Sequence, residues 1–127
     1  MQGKNLYEYA VIRVVPKVER EEFVNVGIIL FSKKAKFIKI LYHLDENKLM
    51  NLSDDIDMDH LRDTLASFEK IAYGLDSGGA IARMDIPERF RWLTAVRSLC
   101  VQTSRPHSGF SDDLDKTAHN LFEELVL

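Results

Sequence analysis

The side chains with the widest chemical reach here are four histidines, one cysteine and a set of arginines, and their spacing is the first test of activity. His43, His60, His107 and His119 are scattered along the chain. They form no HExxH pair and no close cluster with cysteines, the spacing a zinc site needs, so no metal site is expected. The acidic run Asp54, Asp55, Asp57 and Asp59 suggests calcium, yet it lacks the central glycine and terminal glutamate of an EF-hand loop. A solvated loop feeding a capped helix accounts for it. Cys100 lies between Leu99 and Val101, and apolar neighbours favour burial and a thiol that gives up its proton reluctantly. There is no GxSxG elbow, no GxxxxGK[ST] loop and no GxGxxG turn. Neither a catalytic residue nor a cofactor is expected from these patterns.

Three polar groups remain as candidate sites. The first is Arg13, Glu22 and Asn25, polar groups set among apolar strand residues. They would either contact a ligand or satisfy one another as a buried hydrogen-bond network. The second is Arg105, His107 and Ser108, donors concentrated between an expected strand and an expected helix, a place that suits an anion. Asp112 and Asp113 stand at the same helix start and oppose phosphate there. The third is Arg89, Arg91, Trp92 and Arg97, and arginine and tryptophan are enriched where proteins bind one another. Trp92 is off the Phe90–Leu93–Val96 stripe, which makes it either a flank anchor of the core or a partner contact.

Positioning these residues falls to a short list of elements. Leu6 to Val15 alternates β-branched and aromatic residues on both faces and ends at Pro16, which marks a strand inside a sheet. A short helical turn over Val18 to Glu22 leads to a second strand from Phe23 or Val24 to Ser32, with Val24, Val26, Ile28 and Leu30 on one face and Asn25, Gly27, Ile29 and Phe31 on the other. A turn at Ser32–Lys34 and a lysine-bearing strand, Ala35 to Tyr42, complete an antiparallel hairpin. Residues 43–56 read as a loop. Asp57 caps a helix with apolar residues at 58, 61, 65, 68 and 72, closed by Gly74. The glycine-rich stretch Leu75–Arg83 reads as a flexible loop, Pro87 opens a short helix through Arg97, and Leu99 to Thr103 is a fourth strand or an irregular segment. Ser104–Gly109 reads as a turn, and Ser111 as the cap of a last helix carrying Leu114, Ala118, Leu121 and Leu125. The expected class is α+β: a three- or four-stranded, mainly antiparallel sheet with about three helices packed on one face.

Composition sets the outer bounds. With 127 residues and a net charge of −3, the chain suits a single domain spanning 1–127. One cysteine excludes an intrachain disulfide and fits a reducing compartment, so a cytoplasmic location is expected. The N-terminal residues lack the pattern of a signal peptide, and the most apolar segment, Phe23–Phe31, is far short of a membrane span. Charge is uneven: residues 1–42 hold eight basic against four acidic side chains, a net of +4, and residues 43–63 hold two against seven, a net of −5. Neither extreme implies general nucleic-acid affinity.

The segments YEYAVIRVVP, EEFVNVGIILF, RFRWLTAVRS and VQTSRPHSG resemble a bacterial family of unknown function, domain-of-unknown-function family 3037 (DUF3037), over nearly the whole chain. The resemblance implies a small protein without an assigned enzymatic activity, and a genomic neighbourhood shared with a HipA-like kinase as a possible protein partner. It transfers no active-site residue. The reading from residues and resemblance together is a non-catalytic interaction or accessory protein. A phosphate-handling enzyme using Arg13, Arg105 and His107 with Glu22 as base is the first alternative. Nucleic-acid binding through Lys33, Lys34 and Lys36 is the second.

Overall fold

The computed structural model describes residues 3–16, 22–95 and 100–127. The expected helical turn at 18–22 lies mostly outside them, as do Lys17, Arg20, Val96, Arg97 and Leu99. Five strands run β1 (Asn5–Val14), β2 (Val24–Ser32), β3 (Phe37–Tyr42), β4 (Val101–Thr103) and β5 (His107–Ser111), with helices α1 (Glu46–Leu52), α2 (Met58–Ala72), α3 (Ile86–Leu93) and α4 (Leu114–Leu125). The strands form one antiparallel sheet in the order β3-β2-β1-β4, with β5 also on β1. β1 pairs along one side with β2. Its other side takes β4 at Ile12–Val14 and β5 at Asn5–Tyr9. The expected α+β class and the central place of β1 both hold.

Alternation along β1 explains the two-sided core. Ala10, Ile12 and Val14 face α1, α2 and α3 together with Phe31, Ile40, Leu61, Leu65 and Phe90. Ile28 and Leu30 face α4 through Leu114 and Ala118, with Tyr7, Tyr9, Phe37 and Leu41 around them. The helices therefore cover both faces, a correction to the one-face expectation. The cause is visible in β2: with consecutive residues Ile28 to Phe31 all buried, neither face of that strand can be left to water.

A register shift falls between Ile12 and Arg13, so that Gly27 pairs with Ile12 but Asn25 pairs with Arg13. The extra residue is Val26, and a bulge of this kind turns the following side chains over. Val26 joins the α1–α3 side beside Ile29 and Phe31, while the Asn25 amide donates to the Leu125 carbonyl of α4 at 3.0 Å. The strict alternation expected for 24–31 breaks at that point. Gly27 is required by close approach: a Cβ there would stand 2.5 Å from the Leu41 carbonyl oxygen on β3.

The helices follow their caps. Asp57 accepts from the His60 amide and opens α2 as expected. Residues 43–56, expected as a loop, contain α1, which is opened by Asp45 accepting from the Lys48 amide and anchored by buried Leu49. Its one buried residue left too little apolar periodicity to read. The Leu75–Arg83 stretch, expected as a loop, forms two 3-10 turns at Asp76–Gly78 and Ile81–Arg83. α3 starts at Ile86 with Asp85 as its cap and ends at Leu93 rather than continuing to Arg97; Thr94, the closing residue, sets both its amide and its hydroxyl on the Phe90 carbonyl. An eight-residue helix is marginal on its own. Buried Phe90 and Leu93, each contributing about 1.5–3 kcal/mol on burial, hold it, with Phe90 against Phe31 at 4.3 Å between ring centroids. The expected turn at 104–109 is confined to 104–106, and residues 107–109 begin β5. The last helix is capped by Asp113, not Ser111; Ser111 accepts from the Asp113 amide and pairs with the Thr117 hydroxyl.

Candidate functional site

Of the first group the structure brings Arg13 and Asn25 together on paired strands, without a hydrogen bond between them. Arg13 stands opposite Asn25 on one side and Gln102 on the other, and its guanidinium lies 4.3 Å above the Phe23 ring. Arg13 Nε and Asn25 Oδ1 are buried without a partner among the described residues. Glu22 is exposed at the start of this segment.

The Arg105 group does not converge with it. His107 sits opposite Tyr9 and packs on its ring at 5.4 Å. Arg13 is four residues further along β1, about 13 Å at the rise of a strand. Arg105 and Ser108 are exposed on the β4–β5 side. The cavities that hold Glu8, Asn25, Cys100 and Glu123 contain none of Arg13, Arg105 and His107. Cys100 shares a cavity of about 250 Å³ with Asp55, Asp57 and His60, but burial pushes its thiol above its ordinary value, which keeps it protonated at neutral pH. Among the described residues no group of three or more histidine, cysteine or acidic side chains is placed to hold a metal ion. No helix among them is long and apolar enough to cross a membrane.

The third group divides. Arg89 turns inward, donating to the Ala82 carbonyl at 3.3 Å and lying over Gly74, so it ties α3 to the end of α2. Arg91 reaches across to the sheet and grips Glu8 with two parallel bonds of 2.9 and 2.8 Å. Planar guanidinium and planar carboxylate fit this fork. The pair reinforces itself, since the Glu8 carboxylate raises the Arg91 pKa further above its ordinary value. The guanidinium also stands 5.6 Å from the Phe31 ring centroid. Trp92, next in α3, is 37% exposed.

Around Glu8 the sheet surface is apolar and open. Leu6 precedes Glu8 on the same face of β1, with Phe31 across on β2 and Phe110 beside Leu6 on β5. Leu6 is 52% and Phe110 63% exposed. Leu6, Tyr7, Glu8, Phe31, Lys33 and Lys34 line an open groove of about 470 Å³. A large side chain at each of two directly opposed positions, both left in water, is unusual beside a core as fully packed as this one. Leu6 and Phe110 carried little signal in sequence: Leu6 sits at the fraying start of a strand, and Phe110 is an isolated aromatic in a polar stretch. Only the pairing of β1 with β5 brings them together.

Residues 9–126 match the family described as "Protein of unknown function (DUF3037)". The chain belongs to that family. No curated protein and no solved structure matches it. The match spans nearly the full length and leaves the chemistry of the DUF3037 chain to be read from its own surface.

Proposed function

We propose that this protein is a non-catalytic binding module whose sheet end, floored by Leu6 and Phe31 and rimmed by Lys33 and Lys34, receives a protein partner. The carrying observation is the open apolar groove of about 470 Å³ beside the neutralised Glu8–Arg91 pair. Because Arg91 satisfies Glu8, the cationic lysines of the β2–β3 turn dominate the rim. The matching occupant is a partner segment with an apolar anchor flanked by carboxylates. Arg91 supplies the α3 side of the same surface region through Glu8; exposed Trp92 follows it in α3, and Arg97 lies outside the described residues. The HipA-like kinase implied by the family resemblance is one protein to try in this role.

Titration of a synthetic peptide bearing one leucine between glutamates, followed by amide chemical shifts, is the direct test, with a purified HipA-like kinase as a second probe. Perturbations should centre on Leu6, Phe31, Lys33 and Lys34. Leu6→Asp, or Lys33→Glu with Lys34→Glu, should weaken binding about tenfold or more, roughly 1.4 kcal/mol. Binding that ignores both changes, or no binding to either probe, removes this reading.

A further inference from the structure

The two edges of the sheet are treated differently. On β3 the Tyr73 hydroxyl reaches over from the end of α2, accepts from the Ile40 amide at 3.0 Å and donates to the Ile40 carbonyl at 3.2 Å. Lys36 and Lys39 add charge on that side. β4 is only three residues long, and its Thr103 side chain is tied by a hydroxyl bond to the Thr94 carbonyl after α3. Sheet edges are commonly guarded in these ways, because an unguarded strand pairs with another chain. β5 has no such guard among the described residues. Its sequence, HSGFS, has no proline, lysine or acid.

Alternation along the strands shows which β5 groups point outward. Val11 donates its amide to Ser104 Oγ and accepts at its carbonyl from the Ser104 amide. The odd residues of β1 therefore bond toward the β4–β5 side, since direction repeats every second residue. Tyr9, Tyr7 and Asn5 stand opposite His107, Gly109 and Ser111, so those three β5 residues bond inward. The amides and carbonyls of Ser108 and Phe110 face away from the sheet.

We infer that β5 is a homodimer edge, pairing antiparallel with β5 of a second copy about a two-fold axis at Gly109. In that register Ser108 stands opposite the partner's Phe110, and the outward groups of both residues in both copies form four backbone hydrogen bonds. Gly109 falls in the closely spaced, non-bonded position on the axis, where Cα atoms approach to about 4.5 Å. The absence of a side chain suits it. Gly109 is bare for a second reason: a Cβ there would meet the Tyr7 hydroxyl at 2.6 Å, so the Tyr7 ring roofs the position from the α4 face. The two exposed Phe110 rings become diagonal neighbours, within reach of one another. Charge agrees at both ends, because exposed Arg105 comes opposite the partner's Asp113, also exposed. A closed two-fold contact of this kind is self-complementary by construction. The groove at Lys33 and Lys34 lies on the β2 side of β1 and stays open, so the dimer does not depend on the partner reading above.

Sedimentation velocity of the full chain across a dilution series is the test. The expected result is a shift with concentration from 14.6 kDa to twice that mass, since so short an edge supports a weak dimer. Ser108→Pro removes an outward amide and leaves the β1 bonds intact, the one placement a strand tolerates; it should weaken dimerisation at least tenfold. Residue-resolved hydrogen exchange on the unaltered protein covers the case in which that variant fails to fold. Gly109 should be protected at every concentration, and Ser108 and Phe110 only where the dimer forms. A constant 14.6 kDa up to the solubility limit overturns the inference. So does a dimer in which Ser108 and Phe110 exchange freely, or one that Ser108→Pro leaves unchanged. Binding at β5 of a foreign extended segment by a chain that stays monomeric also overturns it.

Discussion

Gly27 shows how much one residue can decide. It pairs with Ile12 on one side and Tyr42 on the other, at the bulge that sends Val26 to the α1–α3 core and Asn25 to α4. Gly27→Ala should destabilise the protein by about 3 kcal/mol, the upper range for overpacking a rigid core. The added methyl meets the Leu41 carbonyl and Tyr42 Cβ at 2.5 and 2.9 Å, and backbone in mid-sheet cannot yield without breaking the ladder. Chemical denaturation checks this, and a loss below about 1 kcal/mol would show that β3 can move aside. A glycine that interrupts an apolar run marks either relief of crowding beneath a large neighbour or a close backbone approach, and the Leu41 carbonyl shows it to be the second. The bulge beside it was not legible. A one-residue slip is set by how two strands meet, and nothing in the local pattern of 24–31 encodes it. For the same reason the local pattern does not show Asn25 turning onto the Leu125 carbonyl, which follows only from the slip that sets it opposite Arg13.

Among the elements, those with a strong local period were readable and those held by distant contacts were not. α2 carries its cap, its stripe and its terminating glycine within one stretch of sequence. α1 has a cap and one buried leucine, and β5 has only serines, a glycine and one phenylalanine beside a central strand that orders it. The β3 edge depends on a residue far from it in sequence. Tyr73→Phe keeps the ring and removes the hydroxyl that serves both Ile40 groups, so stability should fall by about 1–2 kcal/mol. The Ile40 amide should exchange faster than in the unaltered protein, while Ile29, inside the ladder, stays protected. Unchanged exchange at Ile40 would mean that the edge is not guarded by Tyr73. The candidate groove follows the same rule. Its lysines are visible as a hairpin turn, but its apolar floor exists only in the register that sets Glu8 opposite Phe31 and so brings Leu6 beside that ring.

At the level of the whole molecule, the sheet is one layer shared by two cores. Ile28 and Leu30 point to α4, and their neighbours Ile29 and Phe31 point to α2 and α3. Loss of either helix layer strips one face of the same strand, so the two cores should melt together. Ala118 is fully buried against β2, and Ala118→Asp places an unpaired carboxylate there, a change expected to cost about 3 kcal/mol or more. Trp92 reports from α3 on the opposite face. Its fluorescence transition in denaturant should shift to the same lower midpoint as the far-ultraviolet circular dichroism, with the slope unchanged. A fluorescence midpoint that stays in place while the dichroism shifts would separate the cores and make α4 a detachable layer. Coincidence would mean that the groove at Leu6 and the edge at β5, which share β1 with both cores, are held rigid by the entire fold.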